Sequence, residues 1–390
     1  MSKVAFVADC HIGNHQVLGG PYEKRMNTRC RETARVLRNA LRVAEKRDVD
    51  AFVVLGDLFD TADPYPQIEA EVMGILVEYS SCPIYLLVGN HDQWSVRVGD
   101  NALAPLRFVS EHVHVVDHSE MIRVAAKGKG GARDAFLLMQ PFIAGASAEQ
   151  VLDAARMVFS LPRTDGAPLY LCAHIGIKNA RTPPYLRASQ EGVEEEWLRG
   201  WLERAGARGC CVGNWHEHYA DAGRRIVQCG ALCPTGFDNP SPEDVREDRF
   251  GTVVLLDTDT GEFDLSVRVP GPRFLTLDHA SGWRGIVAAY RKAGHLPYVR
   301  LRTQPENVPS VMGELQLAIE EDAVFAGEVV PVVDAHRRSE AAKQATEAYR
   351  SRTLISAIDA YIDRVELDPG LDRENVRKKV LKYATDPRKE

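Results

Sequence analysis

Nowhere in the 390-residue chain do eighteen apolar residues run together, no CxxC pair occurs among its eight cysteines, and its start lacks a basic stretch followed by a long apolar one. Each absence excludes a class. The first argues against a membrane-spanning helix and the third against a secretory leader, so neither membrane association nor secretion is expected. The second argues against a disulfide framework or a thiolate metal site. Cys10, Cys30, Cys82, Cys172, Cys210, Cys211, Cys229 and Cys233 lie mostly inside apolar stretches and read as reduced core residues, which implies a cytoplasmic setting. Excess positive charge is missing too. With 48 Lys and Arg against 55 Asp and Glu, the net charge is -7 and the pI near 6.0, so a polyanion must find a local basic patch or bound cations. There is no internal repeat and no long low-complexity segment. What is present is a 45% hydrophobic content, ample for an ordinary core divided among two or three domains.

Val4 to Ala8 is a short apolar run of the kind that forms a strand covered on both faces, and it ends at Asp9-Cys10-His11. Apolar pairs at helical spacing, Val36/Leu37, Ala40/Leu41 and Val43/Ala44, predict an amphipathic helix from about Thr28 to Lys46. A second strand, Ala51 to Leu55, ends at Gly56-Asp57-Leu58-Phe59-Asp60. A helix over Gln67 to Tyr79 leads to a third strand, Ile84 to Val88, which ends at Gly89-Asn90-His91-Asp92. This β-α-β-α-β order builds a parallel sheet, and ligands of such sheets gather beyond the carboxyl ends of the strands. Further strands are expected at Val113 to Val116, Met121 to Ala125 and Ala135 to Gln140, with a turn at Lys127 to Gly131 and a helix at Ser147 to Phe159. Leu169 to Ala173 delivers His174. After the Thr182-Pro183-Pro184 loop and a helix over Val193 to Arg204, the strand Gly209 to Val212 ends at Gly213-Asn214-Trp215-His216-Glu217-His218. Phe250 to Leu256 and Glu262 to Val269 read as a closing hairpin.

Pro270-Gly271-Pro272 reads as a linker to a small α/β unit, with strands at Phe274 to Leu277, Tyr298 to Arg302 and Glu328 to Val333 and helices at Gly282 to Lys292 and Val311 to Glu320. A helix from about Ser339, broken at Asp368-Pro369-Gly370, precedes one capped by Asp372, with Leu371 placed to staple onto Val376. Its basic run, Arg377-Lys378-Lys379 and Lys382, is either a solvated face or a contact for DNA or an acidic partner.

Carboxylates, imidazoles and an Asn carbonyl therefore recur at strand ends, without organised thiolates. Each group costs free energy to bury unless it finds a partner. A mixed oxygen and nitrogen set suits manganese, iron(II) or zinc, and there are groups enough for two ions, which together activate a water and clamp a phosphoryl group and its leaving oxygen. An anionic, phosphorylated substrate follows.

In their order, Asp9-x-His11, Gly56-Asp57-x-x-Asp60, Gly89-Asn90-His91-Asp92, a lone His174 after a strand and a late Gly-x-x-His at 213 to 216 resemble the motifs of the calcineurin-like metallophosphoesterase superfamily, across the first two thirds of the chain. Within it, Asp9-Cys10-His11-Ile12-Gly13, the Gly56 to Asp60 form and the extra C-terminal unit are most similar to the SbcD-like DNA nucleases, whose partner is an SbcC-like ATPase. Gly230-Ala231-Leu232-Cys233-Pro234-Thr235-Gly236 is similar to the loop that follows the last ligand motif in phage and bacterial relatives.

The resemblance implies an α/β fold in which a β-sandwich is flanked by helices (αββα) over residues 1–269. It adds a small α/β capping domain at 273–335 that contacts DNA and a helical tail at 338–390 that docks the ATPase. It implies two divalent metal ions, manganese being the expected one. Asp9, His11 and His216 hold the first, Asp57 bridges, and Asn90, His174 and the residue at 214 hold the second. His91 is then the acid that protonates the leaving oxygen, Asp92 fixes its tautomer, and Asp60 stands behind the ligands. The implied activity is that of a DNA exonuclease with endonuclease activity in repair or recombination, with a homodimer as a possible assembly. A small-molecule or nucleotide phosphatase or phosphodiesterase, and a metal-poor binding scaffold, are the rivals. The chain departs from the pattern at one point: Asn214 stands where the family motif Gly-His-x-His has its first His. Either Asn214 coordinates through its carbonyl oxygen beside His216, or the loop shifts and His216 acts with His218. The other histidines, His15, His112, His114, His118, His279, His295 and His336, read as surface or capping residues. Tyr22, Arg25 and Arg29 read either as loop residues or as contacts for nucleic acid, and Trp215 and Tyr219 as substrate-facing or as walls.

Overall fold

The computed structural model describes residues 2–95, 97–125, 134–155, 158, 166–237, 248, 250–332 and 372–385. The chain divides into two compact units, Met1–Thr303 with Val308–Val330, and Gln304–Asn307 with Pro331–Glu390.

Two six-stranded sheets dominate the first unit. One runs Phe263–Asp264, Val254–Asp257, Lys3–Val7, Ala51–Val54, Ile84–Leu87, Val113–Val116. Its last four strands are parallel, as the β-α-β-α-β reading requires. The expected hairpin closes the other side: Val254–Asp257 pairs antiparallel with both Lys3–Val7 and Phe263–Asp264. The second sheet runs Tyr219–Ala220, Ile226–Gln228, Gly209–Gly213, Leu169–His174, Ala135–Gln140, Glu120–Val124, with the middle four strands parallel and both edges antiparallel.

The continuous apolar strands have a simple cause. Side chains alternate across a strand, and in these sheets both faces are covered. Ala5 and Val7 join the core beneath the helices Thr28–Lys46 and Pro66–Val77, whereas Val4, Phe6 and Ala8 pack between the sheets with Leu137, Met139, Tyr170, Cys172, Cys211 and Val227. On the outer face of the second sheet, Leu138, Leu171, Cys210 and Val212 share a core with the helices Ala148–Ala154 and Glu195–Ala205. The order of layers is α, β, β, α, as expected. Burying each large aliphatic or aromatic side chain contributes about 1.5–3 kcal/mol. Local signals set the helix starts. Asn27 caps Thr28–Lys46 by accepting from the Cys30 N–H at 2.8 Å, and Ser147 with Gln150 forms a capping box on Ala148–Ala154.

The same unit contains a three-stranded sheet, Pro272–Asp278, Leu296–Thr303 and Ala326–Pro331, with Pro272–Asp278 and Leu296–Thr303 parallel. The helices Trp283–Lys292 and Val308–Glu320 complete a core around Leu275, Tyr290, Val299 and Leu315. Pro270 to Pro272 is packed: a Cβ on Gly271 would lie 2.5 Å from Val36, and Arg273 is buried, donating to the carbonyls of Pro272 (2.7 Å) and Phe250 (2.9 Å) and pairing with Asp248. Arg29 is likewise buried. It lies 4.5 Å over the Phe274 ring and donates to the carbonyls of Val17 and Thr235, which makes it a packing element and removes it as a contact for nucleic acid.

In the second unit the helix Arg373–Thr385 begins as expected, the Asp372 carboxylate accepting from the Asn375 N–H at 2.8 Å. Lys378 and Lys379 are exposed on it, and Arg377 faces Glu374 at 3.5 Å. The turn at 127–131, the latter part of the helix expected to reach Phe159, the helix from Ser339, the Leu371 staple and His336 lie outside the described residues.

Candidate metal centre

The two sheets bring their carboxyl ends to one place. Asp9 and His11 follow Lys3–Val7, Asp57 follows Ala51–Val54, and Asn90 and His91 follow Ile84–Leu87; from the other sheet come His174 at the end of Leu169–His174, and Asn214 and His216 after Gly209–Gly213. The turns that place them are tight. Asp9 (φ 50°), His11 (φ 47°), Asp57 (φ 51°) and Asn214 (φ 103°) all hold positive φ, a backbone state that costs an L-residue on the order of 1 kcal/mol and persists where packing over-determines it. Two glycines make room: a Cβ on Gly56 would lie 2.1 Å from the His174 ring, and one on Gly89 2.1 Å from the Asp57 carboxylate.

The side chains form three overlapping groups whose ligand atoms lie within 4.8 Å of one another: Asp9, His11 and His216; Asp9, Asp57 and His174; and His11, Asp57 and His91. Asp57 is central, its Oδ2 standing 3.7 Å from His11 Nε2 and 3.5 Å from His174 Nε2, while its Oδ1 accepts from the His91 N–H at 2.9 Å. His174 Nε2 is 2.9 Å from Asn90 Oδ1. The Asn214 N–H donates to the Asp9 carboxylate, 3.0 Å from Oδ1.

Hydrogen bonding settles one tautomer and tests the fit of a cation. His174 Nδ1 is 2.7 Å from the Leu55 carbonyl, which can only accept, so Nδ1 carries the proton. In the neutral ring the Nε2 lone pair then points at two oxygens, Asn90 Oδ1 and Asp57 Oδ2. A proton or a cation between them relieves that, as would an Asn90 amide turned to present its nitrogen. Across the site, His11 Nε2 and His216 Nε2 face each other at 2.9 Å, and the buried Asn214 Nδ2 has no partner among the described residues. Nitrogen and oxygen donors thus converge on shared points, as small divalent cations require.

The titration behaviour has the same origin. Burial pushes Asp9 up to about 6, with Asp57 adding to the shift against the pull of His174. Burial also acts to raise Asp57, but His174, His11 and His91 together hold it well below the usual carboxylate range. Burial opposes the charge on His174, yet Asp57 and Asp9 raise it to about 9. Burial and then His11 push His216 down to about 3. Buried groups shifted in opposing directions at a strand-end cleft mark a site built for charge.

Two roles differ from those expected. The Asp92 carboxylate does not reach the His91 ring: it accepts from the backbone N–H groups of Leu58 (3.3 Å), Phe59 (3.0 Å) and Gly89 (3.0 Å), bracing the Asp57 turn against the Asn90 turn. A fully buried carboxylate can accept several bonds, and the chain offers these donors first. The His91 ring instead meets the Asp60 carbonyl, 2.8 Å from Nδ1. His15, read from sequence as a surface or capping residue, belongs to the network. Its Nε2 lies 3.0 Å from the His11 carbonyl and its Nδ1 3.5 Å from the Asp60 carboxylate, whose other oxygen is 3.5 Å from His11 Nδ1. Its spacing of four from His11 was the available signal.

His218 lies apart from the three groups, buried, with Nδ1 2.8 Å from the Cys229 carbonyl. The Gly230 loop locks the last motif in place: the Ala231 N–H donates to the His216 carbonyl (2.9 Å) and the Leu232 N–H to that of Ala8 (3.0 Å). Trp215 is buried against Gly176 and Gly192, where a Cβ would meet its ring at 2.1 and 2.6 Å, so its ring is a packing element. Tyr219 bonds Glu195 at 2.5 Å.

Comparison with known proteins agrees with this geometry. A family model described as calcineurin-like phosphoesterase matches residues 2–229. The chain belongs to that family. It is a metal-dependent hydrolase by family, and the matched residues include the whole second sheet and four of the six strands of the first. Among solved structures, it is similar to the protein TT1561 of Thermus thermophilus, with 13% identity, 67% of this chain and 97% of that one covered and a TM-score of 0.40. It is also similar to a dimetal phosphatase from Danio rerio, with 14% identity, 60% and 89% covered and a TM-score of 0.39. No curated protein matches the sequence. No helix among the described residues is long and apolar enough to cross a membrane.

Proposed function

We propose that this phosphoesterase is a two-metal phosphodiesterase acting on DNA, an exonuclease with endonuclease activity, working in repair or recombination beside an SbcC-like ATPase. The observation that carries the two-metal reading is the position of Asp57, whose carboxylate stands between His11 and His174 with Asp9, Asn90 and His216 around them. Asp9, His11 and His216 would hold one ion, Asn90, His174 and Asn214 the other, and Asp57 both. Bound there, the pair supplies Lewis acidity and an activated water. Manganese suits the mixed donor set.

The chain's own contribution is orientation and a proton. Because the Asp60 carbonyl only accepts, His91 Nδ1 carries its hydrogen, and Nε2 is the atom left to bind and release the proton that the leaving oxygen takes. His91 is exposed beside the buried cluster, its ring 4.7 Å from that of His11, which suits a group facing substrate. DNA as the substrate rests on the resemblance of the strand-end motifs, and on the presence of a third sheet and a capped basic helix, which a small-molecule phosphatase does not need. The helical tail at 338–390 would dock the ATPase, residues 273–335 would cap the site and touch DNA, and the setting is cytoplasmic.

The test is manganese-dependent digestion of end-labelled linear DNA beside hydrolysis of bis-p-nitrophenyl phosphate. Hydrolysis of the small ester without DNA cleavage, with the ATPase partner present, would replace the nuclease by the phosphatase reading. His91→Ala should retain both metals and lose about 10²-fold or more in cleavage; full activity in that variant would remove His91 from the mechanism.

A further inference from the structure

At the opposite ends of the strands that carry the metal ligands, the two sheets leave a cleft of about 850 Å³, walled by Lys3, Arg47, Arg208, Arg224 and Arg225. All five cations are exposed. Lys3 begins the strand that ends at Asp9, so at about 3.3 Å per residue the cleft lies on the order of 20 Å from the metal centre. No carboxylate among the described residues forms an ion pair with any of these cations, although ion pairs are made freely elsewhere on the surface. In a chain of net charge -7, the five cations outnumber the three carboxylates of the same lining, Asp257, Glu262 and Asp264, and leave the cavity with a net positive field that an anion would satisfy.

The cleft is also built. Arg225 Nε donates to the Arg208 carbonyl at 2.8 Å, and Arg208 Nη1 to the Asp259 carbonyl at 3.1 Å, so two guanidinium groups are held in place by main chain. The turn bearing Arg224 and Arg225 is braced by the buried Asp221, whose Oδ1 accepts from the N–H groups of Arg225 (2.7 Å) and Ile226 (2.9 Å). Arg224 itself has φ 49°, an uncommon state for a long side chain and one that accumulates at functional turns. Asp257, Glu262 and Asp264 share the lining. They would repel a phosphate chain that continued past the cleft, which favours a bounded anion over a polymer. The volume falls in the range of small-ligand pockets.

We propose that this cleft is a second anion site, separate from the metal centre, that takes a compact oligophosphate of the nucleoside triphosphate class. Its arginines grip the phosphates through paired N–H donors. The site needs no metal and no hydrolysis, so it stands independently of the nuclease reading.

The experiment is calorimetric titration of the full chain with ATP and with inorganic triphosphate, in a chelator so that the metal centre takes no part. Saturable binding of one equivalent is expected, weakened roughly tenfold for each arginine removed in Arg224→Ala and Arg208→Ala, while Arg224→Lys, which keeps the charge but loses the paired donors, falls between the parent and Arg224→Ala. Both variants should melt like the parent and hydrolyse bis-p-nitrophenyl phosphate at its rate. Tighter binding of ATP than of triphosphate assigns the ligand to nucleotides, and equal binding assigns it to oligophosphates at large. The proposal is overturned by the absence of saturable binding, by binding unchanged in both variants, or by binding of an oligonucleotide that ATP does not displace.

Discussion

A histidine whose Nδ1 is committed to a carbonyl has one lone pair left, and at His174 that lone pair meets two oxygens. The same logic applies at position 214, where the backbone N–H is fixed on Asp9 and the side-chain amide lies buried without a partner, whereas His218 is bonded to Cys229. Amide nitrogen and oxygen are distinguished only by their surroundings, so an orphaned amide beside ligand groups is suited to turn its oxygen inward. Asn214→Ala should therefore empty the second metal site in a metal-content measurement, and His218→Ala should leave it filled; the reverse result would restore the pairing of His216 with His218. Away from the site, His295 shows what burial does without a metal. Burial, then the neighbouring Arg273, lower it to about 4, with Asp248 and the Gly271 N–H also facing it. Its folded value lies below its unfolded one, so the unfolded chain binds more protons between about pH 6.5 and 4. Stability should fall as pH drops through that window. Denaturation midpoints measured across it should show the slope flattened in His295→Asn.

At the scale of elements, the parallel order of the first sheet, its two covering helices and the strand-end placement of Asp9, Asp57, Asn90 and His174 were all legible, because buried parallel strands leave continuous apolar runs that stop where ligands begin. The short hairpin of Tyr22–Glu23 with Met26–Asn27 was not, nor were the paired strands Gly176–Lys178 and Gly192–Glu194, since two or three residues carry no periodicity. The function of Asp92 was hidden for another reason. Its neighbour in sequence is a histidine, but its partners are main-chain N–H groups, thirty-three and thirty-four residues away at Phe59 and Leu58, which side-chain patterns do not reveal. That carboxylate ties two ligand turns together. Asp92→Ala would orphan three buried donors and should cost about 3 kcal/mol or more in urea denaturation of the metal-free protein. An unchanged midpoint would show that the turns hold without it.

For the whole molecule, metal binding and folding are linked, because buried carboxylates and imidazoles crowd one end of the sandwich. Ions bound there stabilise the folded chain by about 2.7 kcal/mol when present at a hundred times their dissociation constant. Chelation should lower the melting temperature and manganese should restore it. Asp57→Asn should melt nearly alike with and without the metal, and a large metal-induced rise in that variant would place the ions elsewhere.

All eight cysteines are free and buried, and they are distributed through the second sheet, the first helix and the connections between elements, from Cys10 after the first strand to Cys233 after the last motif. Burial raises Cys30, Cys210 and Cys233 to about 12, and holds Cys10, Cys172 and Cys211 well above the ordinary thiol value. A thiol both shielded and protonated is inert to alkylation. The native chain is thus supplied with its own clock. Mass spectrometry during exposure to an alkylating reagent should show molecules carrying either no adducts or many, and the rate at which the unlabelled peak decays would time the opening of the sandwich.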